Sequence, residues 1–333
     1  MRKHHISTNL ILGLTLMVLI LLAFLALTMG RYQLSFDDLL TALIRPQQTS
    51  PIITNILFNL RLPRILGAII IGAALAISGT AYQSIFQNPL VSPDLLGVSN
   101  GAAVGAATAI LLGLHPFGTQ VLAFGAGLLA VCLSIAIPRA MGQSTTLSLV
   151  LAGIVVSGLM QAILGLLKYL ADPDSQLQTI VYWQLGSLSK ITPANLLSVL
   201  PMLFVGGLVL WVMRWRLTVL SLGDRQAQAQ GVNVVLERRI VVVCATFLTA
   251  GAVCLSGTIG WIGLIVPHMA RLLIGPNTRY ALPLSGLVGA IFLLLVDTLA
   301  RTLSAGEIPL SILTGFIGTP IFIYILLTRK VRL

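Results

Sequence analysis

What most constrains this chain is a series of closely spaced apolar runs, each near the length needed to cross a bilayer. A hydrocarbon core of about 30 Å takes roughly 20 helical residues. Ten runs approach that length, over 8-29, 65-86, 96-114, 117-137, 147-168, 195-213, 239-257, 258-270, 280-300 and 308-328, with the eighth short. Only 9% of residues are charged against 57% hydrophobic, far from the soluble norm of roughly 25% charged. Lipid is therefore the solvent, and in lipid every peptide group needs an internal partner. The runs are too long and too poorly alternating for barrel strands. The expected fold class is all-α: a polytopic membrane protein of about ten transmembrane helices, in one domain over 1-333.

The first run follows Met1-Arg2-Lys3-His4-His5. It outruns a signal-peptide core and has no clear small-residue cleavage site, so it reads as a retained anchor. Alternating ten spans puts Arg2, Lys3, Arg139, Arg214, Arg216, Arg225, Arg238, Arg239, Arg271, Arg279, Arg329, Lys330 and Arg332 on one side. Arg31, Arg45, Arg61, Arg64, Lys168, Lys190 and Arg301 fall on the other. The cation-rich side is expected to be cytoplasmic, with both termini inside. The net charge of +11 is scattered over segment ends without a basic, aromatic-interleaved patch, which argues against nucleic acid as a partner. Cys132, Cys244 and Cys254 lie within apolar runs without CxxC spacing and read as small fillers, with no metal site. Two helix-like stretches, Ser35 to Ile44 and Gln176 to Leu185, are too short and polar to span and are expected on the outer membrane surface.

Apolar side chains gain little by leaving lipid for another helix, so a bundle relies on small residues that let backbones approach. Gly67, Gly72, Ala73, Ala74, Ala76 and Gly79 supply them in the second run, Gly101 and Gly105 in the third, and Gly257, Gly260 and Gly263 in the eighth. Most spans hold no ionisable residue at mid-membrane, which disfavours an ion-coupled secondary transporter. No nucleophile–base constellation stands inside the spans, since His4, His5, His115 and His268 fall at ends or turns. No catalytic residue is expected. The chain also lacks the G-x-x-x-x-G-K-[ST] phosphate loop, so any ATPase must be a partner.

The longest connection on the cation-rich side, 220-232, is either a docking knob or an ordinary loop. Within it, Asp224 is placed to cap a short helix and Gly231 to end it. Pro267 is expected to end the eighth span at the bilayer surface, with His268 structural and Arg271 snorkelling or supporting a partner contact. Asn88-Pro89 and Pro93 break helicity between the second and third spans, in a turn expected to be buried or to face an inner vestibule. Gln83 either lines a path or bonds across helices. Asp297 and Arg301, four apart, are placed to pair on one helix face.

Ordered blocks of residues then resemble a known family. They are Arg61-Leu62-Pro63-Arg64; Gly72 through Gly79; Gln83; Asn88-Pro89-Leu90; Leu96-Gly97-Val98; Leu222-Gly223-Asp224 through Gly231-Val232; Gly257 through His268; and Asp297, Arg301, Glu307-Ile308-Pro309. Together they are similar to the FecCD-type permeases of iron-siderophore, haem and cobalamin importers, over nearly the whole chain. The resemblance implies a BtuC-like permease fold in a bacterial inner or cell membrane, paired with a second permease subunit. It implies two cytoplasmic ABC ATPases carrying the ATP and Mg, no cofactor bound by this chain, and an external substrate-binding protein. It also implies that Arg61, Arg64 and Arg301 receive acidic residues of the binding protein. The loop at about 214-238 would touch the ATPase through Leu222, Gly223, Asp224, Arg225, Ala229 and Gly231. Gln83, Asn88 and Pro89 are candidates for a path or gate. The cargo expected is iron(III)-siderophore, with haem, cobalamin and molybdate as alternatives.

Overall fold

The computed structural model describes residues 7–30, 32, 34–44, 49–142, 145–304 and 306–328. Arg2, Lys3, His4, His5, Arg31, Arg45, Arg329, Lys330 and Arg332 lie outside the described residues. Fifteen α-helices follow one another: α1 (Thr8–Thr28), α2 (Phe36–Ile44), α3 (Pro51–Asn55), α4 (Leu62–Ile85), α5 (Val98–Leu111), α6 (Pro116–Ala140), α7 (Thr146–Leu170), α8 (Gln176–Leu185), α9 (Pro193–Val212), α10 (Arg214–Leu220), α11 (Asp224–Ala229), α12 (Val234–Ser256), α13 (Ile262–Ile274), α14 (Thr278–Thr302) and α15 (Leu310–Thr328). Among the described residues, eight are long and apolar enough to cross a membrane, with α3 and α4 counted as one run over 51–85. The shorter apolar helices α5 and α13 bring the crossings to ten. At 1.5 Å per residue each is only about 20 Å long, and non-helical backbone precedes both.

Side chains near the termini sort the helices into two ends. At one end, Arg238 of α12 meets Asp224 of α11, and Thr218 of α10 bonds Asn277 beside α14. At the opposite end, Arg64 of α4 meets Asp297 of α14, and Gln120 of α6 bonds Ser198 of α9. We call these the α11 end and the far end.

Three helices form the inside of the bundle. The apolar windows of α4 with its lead-in, of α12 and of α14 are 72%, 78% and 67% buried, against 11–33% for α1, α6, α7, α9 and α15. Small residues place them there, as expected. A side chain at Gly72 would run into the carbonyl of Gly289 on α14, and one at Gly289 into the carbonyl of Gly72, each well under 3.0 Å. Gly79 sits equally close to the Gly263 carbonyl of α13. Gly101 of α5 stands 2.6 Å, measured from an ideal Cβ, from the Ala126 carbonyl of α6. Such contact replaces the hydrophobic drive that lipid does not supply.

Two expectations about breaks change. Pro267 lies inside α13 rather than at its end. Proline removes the hydrogen bond that would reach the carbonyl four residues back, here Gly263, the carbonyl against which Gly79 packs. Helix α13 itself begins four residues later than expected. Gly257 holds φ +72, and a Cβ there would strike the carbonyl of Trp183, so the chain leaves α12 in a conformation only glycine fits. The extended segment that follows is satisfied by its neighbours. Ser187 N–H donates to Ser256 O at 2.8 Å, and the Thr258 hydroxyl donates to Gln184 O. These contacts hold α8 against the bundle end through Ile180, which is buried, while Gln178, Thr179, Val181 and Tyr182 stay exposed. Helix α2 likewise packs inward through Leu39 and Ala42 against Leu57. Its start is a capping box, in which Asp38 N–H donates to Ser35 Oγ at 3.0 Å and Ser35 N–H to Asp38 Oδ2 at 3.3 Å.

Candidate functional site

The far end is built on Pro63. Its ring cannot accommodate an ordinary α-turn behind it, and the chain enters α4 through a π-helical stretch, Ile56–Arg61. That widened turn aims Arg61 back at the end of α1, where the last carbonyls have no partner within their own helix. Arg61 Nη1 donates to Thr28 O at 3.1 Å and to Leu27 O, and its Nη2 donates to Tyr32 O. Arg301 Nη2 reaches Ala26 O of the same helix at 2.7 Å. Two cations thus sit on the negative pole of α1.

Between them, Arg64 joins α4, α14 and the loop before α15. Its Nε donates to both carboxylate oxygens of Asp297, at 2.9 and 3.0 Å, and its Nη2 lies 2.9 Å from Oδ1. Its Nη1 donates to Glu307 at 3.1 and 3.2 Å. Asp297 is 0% exposed, while the Glu307 side chain keeps 30% of its surface. Glu307 also holds φ +52, a backbone region that non-glycine residues seldom adopt. Arg301 Nε stands 3.9 Å from Asp297 Oδ2, close enough for attraction but without a hydrogen bond among the described residues.

All three arginines of this end are enclosed by the protein. Arg61 and Arg301 are each 6% exposed, and Arg64 is nearly as enclosed. The reason is chemical: the carbonyls ending α1 and the carboxylate of Asp297 would be unsatisfied in an apolar medium, and the guanidinium donors are what satisfies them. The Asp297–Arg301 pairing exists, yet Arg64 is the main partner of Asp297. Glu307, quoted in a motif block, had been given no role.

At the α11 end, residues 214–238 form α10, α11 and the start of α12. Gly223 carries φ +116 and turns the chain into α11. Asp224 does not cap that helix as expected; Gly223 holds the cap position. The Asp224 carboxylate instead accepts from Arg238 Nη2 at 2.7 Å. Gly231 ends the helix as expected: its N–H donates to Gln228 O at 2.9 Å and Val232 N–H to Ala227 O at 3.0 Å, a Schellman closure. Ala227 faces inward, fully buried, whereas Leu222, Arg225, Gln226 and Ala229 project outward. Beside α11 lies a cavity of about 360 Å³ lined by Phe86, Gln87, Thr146, Asp224, Arg225 and Gln226. The structure thus gathers the 222–231 residues on one small protrusion.

The third group sits under this end. Gln83 is 4% exposed and bonds across the bundle, its Nε2 donating to Val91 O and Leu264 O, each at 3.2 Å. Its Oε1 accepts from Arg271. Of the two readings, cross-helix bonding is the one realised, and Arg271 turns inward instead of reaching for headgroups. His268 Nε2 lies 2.8 Å from Pro89 O. Pro89 is half-buried and Asn88 exposed, its Oδ1 accepting from Leu90 N–H at 2.9 Å. No group of three His, Cys, Asp or Glu residues placed to hold a metal ion occurs among the described residues.

A bundle of long apolar helices, with a short helix projecting at one end and three arginines gathered on two carboxylates and the end of α1 at the other, is the architecture of a polytopic membrane protein. The family model for the FecCD transport family matches residues 18–328, so the chain belongs to that family. It is 40% identical to the molybdate import system permease protein MolB of Haemophilus influenzae over 319 residues, 94% of each chain. It is 42% identical to a probable iron chelatin transport system permease protein of Helicobacter pylori over 275 residues, 83% of each. A solved structure described as an inward-facing conformation of a metal-chelate type ABC transporter superposes with a TM-score of 0.89 at 37% identity. The match covers 96% of this chain and 100% of that one.

Proposed function

We propose that this chain is the permease subunit of a binding-protein-dependent ABC importer, working in a bacterial cell membrane with its α11 end and both termini in the cytoplasm. The observation that carries the reading is α11 itself: a short helix closed at both ends, tied to α12 by Asp224–Arg238, on a chain with no phosphate loop. Such a knob receives movement from another polypeptide. Two ATPase subunits holding ATP and Mg contact Leu222, Gly223, Asp224, Arg225, Ala229 and Gly231, and a second permease subunit completes the path. This chain binds no cofactor and performs no hydrolysis.

An external binding protein docks at the far end. Because Arg64 already holds Glu307, which is partly exposed, an incoming carboxylate gains access by exchanging with Glu307; Arg61 and Arg301 keep the platform in shape. At the α11 end, Gln83 bonds Val91 and Leu264 while His268 bonds Pro89, so the turn through Asn88 and Pro89 is held against α13 by few bonds, a place for opening toward the cytoplasm.

The cargo we favour is an iron(III)-siderophore, supported by the iron chelatin relative and the metal-chelate type of the solved structure. Molybdate is the second reading, supported by the resemblance to MolB over nearly the full length. Haem and cobalamin belong to the same class of cargo. Proteoliposomes holding the permease with its ATPase, supplied with binding protein and ATP, test both. Radiolabelled ferric-siderophore should accumulate inside and molybdate should not. Molybdate uptake alone would exchange the two readings, and uptake of either without the ATPase would overturn the importer itself.

A further inference from the structure

A second cavity opens at the α11 end, away from α11's exposed face. It encloses about 280 Å³ between the end of α6, the start of α7 and the first turns of α12. Its lining divides by chemistry: Ile135, Leu149 and Val242 are apolar, while Arg139, Arg238 and Arg239 are cationic, with Arg139 and Arg239 exposed and Arg238 buried. Three guanidinium groups lining one cavity repel one another unless an anion joins them.

Their pairing inside the chain is incomplete. Arg238 is 8% exposed, and only its Nη2 reaches a carboxylate, that of Asp224. Its buried Nε has no hydrogen-bond partner among the described residues. A buried N–H left open in this way is costly. Arg139 and Arg239 are exposed and form no ion pair among the described residues. Glu237, the acidic residue next to Arg238, is taken by Arg216.

We infer that this cavity is a binding site for an anionic phospholipid of the adjacent leaflet, the phosphate held by Arg139, Arg238 and Arg239 and an acyl chain lying along Ile135, Leu149 and Val242. The occupant follows from the two halves together. Basic pockets between membrane helices suit lipid phosphates, whereas a soluble anion has no use for the apolar half. The position is at a membrane end of three crossing helices, where lipid headgroups lie. Arg238 links the site to α11: the residue that lines the cavity also holds Asp224 through its Nη2, so lipid occupancy steadies the projecting helix.

Native mass spectrometry of the purified full-length permease, released from detergent with added phosphatidylglycerol or phosphatidylcholine, tests the site. The double variant Arg139→Gln/Arg239→Gln leaves the Arg238–Asp224 pair intact. With each surface arginine contributing about a fivefold gain, the variant should retain phosphatidylglycerol about 25-fold more weakly, with phosphatidylcholine unchanged. Equal retention of phosphatidylglycerol by the two proteins overturns the proposal. Displacement of the lipid by inorganic phosphate would assign the site to a soluble anion. Weaker ATPase association of the variant in lipid-free detergent would assign the arginines to a protein contact. Either result also overturns it. The readout does not involve transport, so its failure leaves the permease reading standing.

Discussion

Replacing Arg64 by methionine keeps an unbranched stem of similar bulk as far as Nε and removes the charged guanidinium. Asp297, with no exposed surface, then faces only Arg301 Nε at 3.9 Å, while Glu307 turns to solvent. Breaking a buried pair by removing one partner costs about 3–5 kcal/mol. The carboxyl has an escape, since it can take up a proton, and for an ordinary carboxylate at pH 7 that costs about 4 kcal/mol. The penalty is therefore capped near 4 kcal/mol, and it shrinks by about 1.4 kcal/mol for each pH unit of acidification above pH 4. With about 2.1 cal/mol/K of unfolding entropy per residue, a chain of 333 residues should lose about 6 °C of Tm at pH 7. At pH 5 about 2 °C should remain. Adding Asp297→Leu removes the stranded charge and should recover stability to within about 1 kcal/mol of the parent. Thermal unfolding in detergent micelles, followed by circular dichroism for the parent, single and double variants, reads all three values. A loss below about 1 kcal/mol at pH 7, or an equal loss at both pH values, would refute the assignment of Arg64 as the compensating charge of Asp297.

Two further outcomes follow from other contacts. Gly79→Val drives a side chain into the Gly263 carbonyl, which is backbone and cannot swing away; it should cost at least about 1–3 kcal/mol in the same unfolding measurement, while Gly158→Val, which meets open space, should cost less than about 0.5 kcal/mol. Asp224→Asn weakens the tie between α11 and Arg238 at a half-exposed site, so stability should change by less than about 1 kcal/mol; in proteoliposomes ATP hydrolysis should continue while cargo uptake falls several-fold, and a proportional loss of both would count against a coupling role.

The crossings were legible because length and apolarity decide them: every expected run overlaps a helix, with ends displaced by at most five residues. The eighth is displaced by four at both ends because an apolar stretch reads the same whether helical or extended. Only the left-handed backbone at Gly257 and Trp261 distinguishes the segment before α13. Pro267 signals a helix end locally, but the bond it removes falls on the Gly263 carbonyl, which packs against Gly79 of α4, a neighbour that local sequence does not reveal. The end of α11 could be read locally from Gly231, since turns depend on nearby residues, whereas its start could not, because the Asp224 carboxylate expected to cap it turns to Arg238 on α12. Burial of the arginines could not. The groups that consume Arg61 are the backbone carbonyls of Leu27, Thr28 and Tyr32, 29 to 34 residues upstream, and carbonyls carry no residue signature. Gln83 was undecided for the same reason, since its acceptors at Val91 and Leu264 are also main chain. Glu307 was visible as the acidic residue nearest the last crossing, and weighing it against Arg64 would have suggested the exchange.

The reciprocal meeting of Gly72 with Gly289 has a mechanical corollary. Where main chain lies on main chain, there are no rotamers to readjust, and a small twist of one rod against the other becomes a hard collision instead of a soft repacking. Helices α4 and α14 must therefore travel as a single stiff beam. Flexing is left to the lightly buried α1, α6, α7, α9 and α15 at the periphery, and in α7 Gly158 and Gly165 meet no neighbouring atom.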